Sequence, residues 1–332
     1  MPEPLVIVTV REFKRRLLNM EAEQVLEMAR RWEQVEMSLL GQMEALAQIM
    51  AESGEAVTVA QLLRDARFRS LLMQAQIQLD GYETYAAALI AEKQRAWATM
   101  AISDSQNLIR TVYAAGGRAG TSFSLLPVSA IEAMIGLAGD GSPLRDLLEK
   151  ASGEAAVRMT DALVRAIALG KNPRDTARQM ADGLAGGLNR ALVIARTEQL
   201  RAYRTAEQMQ YEQSGVVRGF MRISARDDRV CPACLFMDDG RIYPTAHLFE
   251  AHPQDRCSMI PVLVGIRPPA FEYGRAWFER QDAETQRTIL GPGRYDAWQE
   301  GKFDLADVVK RVENETWGAA FVPKTLAELT EE

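Results

Sequence analysis

The chain has 332 residues, of which 47% are hydrophobic and 25% are charged, and its formal net charge is −6. This length predicts two or three folded units with ordinary globular cores. Phosphate contacts require basic residues, so the acidic balance argues mildly against a protein whose main task is to grip nucleic acid, although it leaves room for a local basic patch. The chain has no long apolar run and no signal-peptide pattern, so we expect neither a transmembrane helix nor a secretory leader.

Two proline-free stretches occupy the first third of the chain. Residues 11–51 contain a single glycine, and their apolar residues recur at steps of three to five, which is typical of an amphipathic helix. Ser53-Gly54 interrupt this stripe, and Thr58 suits the N-cap of a second one that extends to residue 115. We predict an antiparallel helical hairpin over residues 1–118. A helical-bundle core is the favoured interpretation of these helices, and a partner-binding arm is the alternative.

The middle region, residues 119–266, is also predicted to begin with helices. It follows a glycine-rich connection at residues 116–122. Gly186-Gly187 is predicted to break the chain between the third and the fourth helix of this region. The predicted helices cover residues 128–138, 143–169, 173–184 and 189–213.

After Gly215 the sequence changes to short strands. The β-branched and aromatic content predicts strands over residues 216–224, at Ile242-Tyr243 and over residues 259–264. Pro268-Pro269 marks the start of a C-terminal extension, residues 267–332, which is predicted to be mostly helical, including Leu305–Glu315. The predicted fold class is therefore α+β and predominantly α-helical: a long helical hairpin, a small α+β module and a helical tail.

The strongest chemical signal is a cluster of cysteines and histidines. All three cysteines and both histidines of the chain lie within residues 231–257. Cys231 and Cys234 are separated by two residues, and His252 and Cys257 by four, which are the spacings of paired ligands around a tetrahedral zinc ion. Four protein ligands would leave no position for water, so we predict one structural zinc ion per chain and no catalytic residues.

Other interpretations of this cluster stay open. His247 is the alternative histidine ligand, although its spacing to Cys257 fits less well. The cysteines could instead be free thiols in a buried loop, one of them could be a catalytic nucleophile with a histidine as its base, or Cys231 and Cys234 could form a redox pair. The last is disfavoured because Cys-Pro-Ala-Cys here does not open a helix after a βαβ pattern.

From about residue 160 to residue 264 the sequence resembles the phage Mu F-like minor head proteins, the head morphogenesis family of tailed phages. The order and the spacing of the shared landmarks together carry this resemblance, and no single landmark does. In chain order the landmarks are Gly170 with Asn172-Pro173, Ala195-Arg196-Thr197-Glu198, Gly215, Asp228-Arg229-Val230-Cys231-Pro232-Ala233-Cys234, Asp239-Gly240-Arg241-Ile242-Tyr243, His252-Pro253, and Arg256-Cys257 before Ile260-Pro261-Val262.

One position departs from the family pattern. Family members often end the cluster as His-Pro-x-Cys-Arg-Cys, and here Asp255 stands in place of the first of those cysteines. The fourth metal ligand is then Cys257 or the Asp255 carboxylate, or else the site has lost its metal. Carboxylate is a harder ligand than thiolate and is less usual in a structural zinc site.

The resemblance implies a virion protein and not an enzyme. Such proteins are present in few copies, associate with the portal or the capsid interior, and assist head assembly or DNA delivery. The expected partners are therefore the portal, the major capsid protein and packaged DNA, with no membrane and no small-molecule substrate. Two other classes remain as alternatives, a zinc-dependent nucleic-acid-binding module and an enzyme. The acidic residues around the cluster disfavour the first, and the short C-terminal extension disfavours the second.

Two further groups of charged residues carry hypotheses. Arg196 and Glu198 could pair with Asp227, Asp228 or Arg229 at the edge of the zinc module, and a solvated helix face is the alternative. Lys14-Arg15-Arg16 could touch DNA or an acidic portal surface, but a solvated helix end is the favoured interpretation.

Overall fold

The proline-free apolar stripes of the sequence form very long helices. In the computed structural model, which describes residues 3–53, 59–62, 64–118, 122–139, 141–169 and 171–330, the chain is predominantly helical with small antiparallel sheets, as predicted. The helices are α1 Leu5–Ser53, α2 Val59–Leu62, α3 Ala66–Ala115, α4 Val128–Glu132, α5 Leu144–Ala168, α6 Pro173–Ser214, α7 Pro232–Phe236, α8 Gly274–Glu279, α9 Ala283–Leu290, α10 Pro292–Gln299 and α11 Leu326–Thr330. The strands are β1 Val217–Ile223, β2 Ile242–Pro244, β3 Ser258–Leu263, β4 Val309–Asn314 and β5 Gly318–Pro323.

Helices α1 and α3 meet in opposite directions along their apolar faces. The Tyr82 hydroxyl donates a hydrogen bond to the Met28 carbonyl at 3.4 Å, and further along α1 the Gln42 amide donates to Gln74 at 2.7 Å. Trp32 packs its ring against the edge of Tyr82 with the ring centroids 4.8 Å apart. The predicted break at Gly54, the predicted cap at Thr58, the landmark Gly170 and part of the connection at 116–122 lie outside the described residues.

Contacts group the chain into two compact units. The sheet unit takes its residues from 1–18, 93–135 and 197–332, and the helical unit takes its residues from 19–92 and 136–196. This grouping differs from the sequence-based division into 1–118, 119–266 and 267–332, because helices α1, α3 and α6 each supply residues to both units. The three-part division stays a prediction. Within the described ranges, no helix is both long enough and apolar enough to cross a membrane.

The predicted break at Gly186-Gly187 is wrong, because α6 runs without interruption from Pro173 to Ser214. The glycines of this segment serve packing. A Cβ atom on Gly187 would lie 3.0 Å from the Cβ of Ala155 and 3.1 Å from the ring of Trp32. A Cβ atom on Gly183 would lie 2.8 Å from the Arg158 carbonyl oxygen. The absence of side chains therefore lets α5 and α6 approach closely, and this gain outweighs the low helix propensity of glycine.

The three predicted strands of the middle region are confirmed and form one antiparallel sheet in the order β2-β1-β3. Phe220 of β1 lies opposite Tyr243 of β2 and Pro261 of β3. The sheet packs against the start of α1 and the end of α3, and the buried residues that form this core include Ile7, Ile109, Tyr211, Phe220, Met259 and Ile260.

The C-terminal extension is only partly helical. Helices α8, α9 and α10 agree with the predicted helical character of this extension, but the helix predicted over Leu305–Glu315 is wrong. A short 3-10 turn at Leu305–Val308 is followed by the β4–β5 hairpin. The side chain of Asn314 accepts hydrogen bonds from the backbone N–H groups of Thr316 and Trp317, and Gly318 adopts a φ of 74°. Such turn chemistry, with the β-branched residues around it, favours a hairpin over a helix.

The two kinds of helical glycine predict opposite effects of the same substitution. Gly183→Ala should lower the free energy of unfolding by about 1–3 kcal/mol, because the new methyl group meets backbone atoms of α5 that cannot move aside. Gly81→Ala in α3, where a Cβ would meet nothing within 4 Å, should raise it by about 0.5–1 kcal/mol. Urea unfolding followed by circular dichroism measures both. Stabilisation by Gly183→Ala would contradict the close approach of α5 and α6.

Candidate metal centre

The four sequence-predicted ligands come from two segments of the sheet unit. Cys231 is the N-cap residue of α7, and Cys234 lies inside that short helix. His252 belongs to the ligand loop, residues 245–257, which connects β2 to β3, and Cys257 ends this loop directly before β3. Pro232 at the first position of α7 fixes the backbone dihedral with which the helix begins, and so the two cysteines face the same side.

The structure brings these side chains together in two overlapping groups that share Cys234. Cys231, Cys234 and His252 form one group, and Cys234, Asp255 and Cys257 form the other, with the ligand atoms of each group within 4.8 Å of one another. The Cys234 Sγ lies 3.1 Å from the His252 Nε2. Ligand atoms around a tetrahedral zinc lie about 3.3–3.8 Å apart, so a small adjustment would accommodate an ion. These residues could therefore hold a metal ion.

The ring of His252 is oriented as a metal ligand would be. Its Nδ1 lies 2.8 Å from the Pro253 carbonyl oxygen, which can only accept a hydrogen bond, so Nδ1 carries a proton and Nε2, which faces Cys234, is the nitrogen that could bind a metal. The alternative ligand His247 is exposed and stacks on Tyr243 with the ring centroids 5.0 Å apart. In the part of the chain that the structure describes, His247 belongs to neither ligand group.

Asp255 lies next to the thiols but is surrounded by cations. Its Oδ1 accepts a hydrogen bond from the Cys257 N–H at 2.7 Å, and its Oδ2 lies 3.5 Å from an Arg222 guanidinium nitrogen. Arg204 approaches the same carboxylate at 4.0 Å and donates to the Asp255 carbonyl oxygen at 2.6 Å. Burial alone raises the pKa of Asp255, but the two guanidiniums outweigh burial and lower this pKa to about 2. The buried carboxylate is therefore charged at neutral pH.

The electrostatics of the cluster favour a thiolate at Cys231. The Cys234 thiol donates a hydrogen bond to Cys231 and lowers the pKa of Cys231 to about 4. Burial alone lowers the pKa of His252, but hydrogen bonding and charge attraction from Cys231 outweigh burial and raise it to about 9. Hydrogen bonding to Cys231 and Cys257, with burial, raises the pKa of Cys234 well above its ordinary value. A divalent cation would replace the protons of this network, because thiolates are the metal-binding form.

Helix α6 holds the ligand loop in place through one face. The Thr197 hydroxyl accepts a hydrogen bond from the Gln254 N–H at 3.2 Å, where Gln254 has a positive φ of 62°. Further along the same helix, Arg204 donates a hydrogen bond to the Asp255 carbonyl. Gln208 donates to the carbonyls of Thr245 and His247 at 2.8 and 2.7 Å. Thr197, the middle residue of the Arg-Thr-Glu landmark, thus stabilises the turn that follows His252.

The outer residues of that landmark have partners other than those expected. Arg196 pairs with Glu21 at 2.6 Å, in the helical unit. Glu198 is buried and accepts hydrogen bonds from Arg201 at 3.2 Å and from the Trp317 indole at 3.1 Å.

Asp227, an expected partner of Arg196 and Glu198, instead accepts two hydrogen bonds from the Arg256 guanidinium, at 2.6 and 3.0 Å. The hypothesis that Arg196 and Glu198 pair with Asp227, Asp228 or Arg229 stays a prediction.

The basic run Lys14-Arg15-Arg16 is divided among three environments. Arg15 is exposed, and Arg16 forms an ion pair with the buried carboxylate of Asp104. The Lys14 Nζ is buried near Cys257, and burial lowers the pKa of this amine to about 8. The favoured interpretation, a solvated helix end, therefore holds for Arg15 but not for Lys14 or Arg16.

Sequence reasoning missed the cations that surround the cluster. Arg204 and Arg222 lie far from the cysteines in sequence and carry no spacing signal, and Lys14 belongs to the first helix. The one available signal was Asp255, because a buried carboxylate beside thiolates requires cationic partners. Comparisons with protein-family models, with curated proteins and with solved structures found no match to this chain.

Replacing Asp255 tests its role as the counter-ion of the arginines. Asp255→Asn should lower the free energy of unfolding at pH 7 by about 3–5 kcal/mol, because Arg204 and Arg222 would remain buried without a charged partner. Since the folded-state pKa lies below the ordinary value of 3.8, this contribution is present above about pH 4 and is lost as the pH falls towards 2. Unfolding curves of both proteins at several pH values measure the difference.

Asp296→Asn is the matched control, because Asp296 pairs with Arg287 at 2.7 Å on the exposed surface of α9 and α10. This variant should change stability little. An Asp255→Asn protein as stable at pH 7 as this control would contradict the counter-ion role.

Proposed function

We propose that this protein is a minor capsid or head morphogenesis protein of a tailed phage or prophage, that it contains one structural zinc ion, and that it acts at the portal or the capsid interior. The observation that carries the proposal is that Cys231, Cys234 and His252 form one group of possible ligands, and that Cys257 belongs to a second group which shares Cys234. These residues are among the landmarks that carry the family resemblance, and their proximity supports the proposal.

Zinc fits the donor set better than other common cations do. Sulfur and imidazole ligands select zinc over magnesium or calcium, which prefer oxygen. Cys257 is proposed as the fourth ligand in preference to Asp255, because thiolate is the more usual ligand in a structural zinc site and the Asp255 carboxylate is the counter-ion of Arg204 and Arg222. Four protein ligands leave no open position for water or substrate, so the proposed role of the ion is structural and no catalytic residue is assigned.

The proposed location is the virion, at the portal vertex or inside the head, after assembly in the host cytoplasm. Long helices such as α1 and α3 offer extended surfaces for contacts with the portal or the major capsid protein. The alternative, a zinc-dependent nucleic-acid-binding module, would need a basic surface at the metal site. Charge around the site is instead balanced internally, since Arg256 pairs with Asp227 and Arg222 with Asp255.

Elemental analysis of the purified protein tests the metal centre. We expect one zinc per chain. His252→Ala should lower zinc affinity by more than the roughly 10–100-fold that the loss of an outer partner costs. His247→Ala is the matched control and should keep one zinc, because His247 is exposed outside the cluster. Well-folded protein without metal would show that Asp255 marks a degenerate site.

Co-expression tests the role in the head. The chain should co-purify with the portal protein of its own phage or prophage, and mass spectrometry should detect it in purified particles at a few copies each. Its binding to DNA should be weak, whereas tight DNA binding that falls steeply with salt would favour the nucleic-acid alternative. Absence from particles, together with no portal binding by zinc-loaded protein, would overturn the head role while leaving the metal centre intact.

A further inference from the structure

Helix α7 is shared by two different clusters of side chains. Its N-cap Cys231 and its Cys234 belong to the metal centre. Its Leu235 is fully buried in a separate apolar cluster, the tail core, which also contains residues of the C-terminal tail, residues 274–330. The members of the tail core are Val230, Leu235, Phe278, Ile289, Leu290 and Leu305, with Phe236, Trp277, Tyr295 and Trp298 packed against them.

The contacts between α7 and the tail are close. Phe236 meets Phe278 edge-on, with the ring centroids 5.6 Å apart. Gly274 donates its N–H to the Asp238 carbonyl at 2.7 Å, and a Cβ on Gly274 would collide with the Leu235 carbonyl oxygen. Only glycine permits this approach of α8 to α7, so the tail is fitted to one position of the metal-binding helix.

A second connection joins the tail to the ligand loop. Arg311 of β4 donates hydrogen bonds to both Glu250 carboxylate oxygens at 2.8–3.0 Å, and Arg222 donates to the Glu250 carbonyl at 3.0 Å. Arg222 also lies over the ring of Phe321 in β5, at 5.9 Å from its centroid, while it faces Asp255 on the metal side. The hairpin thus contacts the residues that surround the cluster.

Helix α7 is too short to keep its position alone. It has five residues, whereas isolated helices need about 12–15 to persist in water. Its position therefore depends on what holds it from outside, namely the metal ligands on one side and the tail core on the other. An element held by two sites transmits free energy between them.

We infer that metal binding at Cys231, Cys234, His252 and Cys257 controls the attachment of the C-terminal tail, so that the tail docks on the metal-loaded protein and detaches from the metal-free protein. The inference rests on the zinc site of the proposed function and adds a regulatory role to it. Loss of the ion frees α7, opens the tail core and exposes Phe278, Leu290 and Leu305, which are buried in the docked state.

Hydrogen–deuterium exchange of the full-length protein tests this inference. Zinc-loaded protein and protein stripped by a chelator are compared. Amide protection over residues 274–330 should fall at least tenfold on metal removal, whereas protection of α5 in the helical unit should change less than twofold. Trp277 and Trp298, which pack against the tail core, should shift their fluorescence to longer wavelength. Unchanged tail protection in protein shown to have lost a bound zinc overturns the inference.

Thermodynamic reciprocity supplies the second test, because two coupled sites must affect each other by the same factor. Phe278→Leu and Gly274→Ala alter the tail contact without touching a ligand, and both should weaken zinc binding at least tenfold in competition with a chelator. Thr288→Ala on the exposed side of α9 is the matched control and should bind zinc within twofold of the wild type.

The outcomes separate the two proposals. Equal zinc affinity in all three variants overturns the coupling but leaves the zinc site in place. Failure of the unaltered protein to bind zinc overturns the proposed zinc site, and the coupling with it.

Discussion

The concentration of negative charge around Cys234 is the constraint on which the rest of the sheet unit depends. In the proposed zinc site, three thiolates around a divalent ion would leave one net negative charge, and the buried Asp255 adds another. Charges of one sign cannot be buried together without compensation. Arg204, Arg222 and Lys14 supply it from α6, β1 and α1. Charge balance at one small site therefore helps to fix the position of each of these elements.

Arg204 and Arg222 also pack against an aromatic ring. The Arg222 guanidinium lies 3.9 Å from the centroid of the Phe249 ring, and Arg204 approaches the same ring at 5.3 Å. Phe249 is buried beside the ligand loop, so the stacked cations provide packing as well as charge. The guanidinium groups of Arg204 and Arg222 can therefore be buried beside the cluster, because they form hydrogen bonds with the ligand loop and stack on its aromatic residue Phe249.

Elements with a strong local signal were predictable from the sequence, and elements decided by packing were not. The 3.6-residue periodicity located α1 and α3, and β-branched residues located β1 and β3. The continuity of α6 was missed, because a Gly-Gly pair breaks most helices and only contact with Ala155 and Arg158 makes it favourable. The β4–β5 hairpin was missed for a similar reason, since its strands are short and their pairing depends on the turn at Asn314.

In the candidate site, too, some residues could be predicted from the sequence and others could not. Ligand spacing pointed to Cys231, Cys234 and His252, which lie in one group of possible ligands, and to Cys257, which lies with Cys234 in the other. The preference for His252 over His247 followed from the four-residue gap to Cys257. The outer shell had no such signal, because Arg204 and Arg222 are defined only by the fold. Spacing reveals ligands that are close in sequence, since short chain segments restrict their geometry, whereas partners across α6 and β1 are set by long-range packing.

The substitution of aspartate at position 255 can be understood from these contacts. An aspartate accepts a hydrogen bond from the N–H two residues later, and here that N–H belongs to Cys257. The carboxylate thereby constrains the backbone that carries the Cys257 sulfur and, through its charge, retains the two arginines. A cysteine at this position could bind a metal but would hold the arginines less well, because its sulfur is a weaker acceptor than a carboxylate. The aspartate thus holds the arginines beside the cluster, and in the proposed zinc site it leaves Cys257 to act as the fourth ligand.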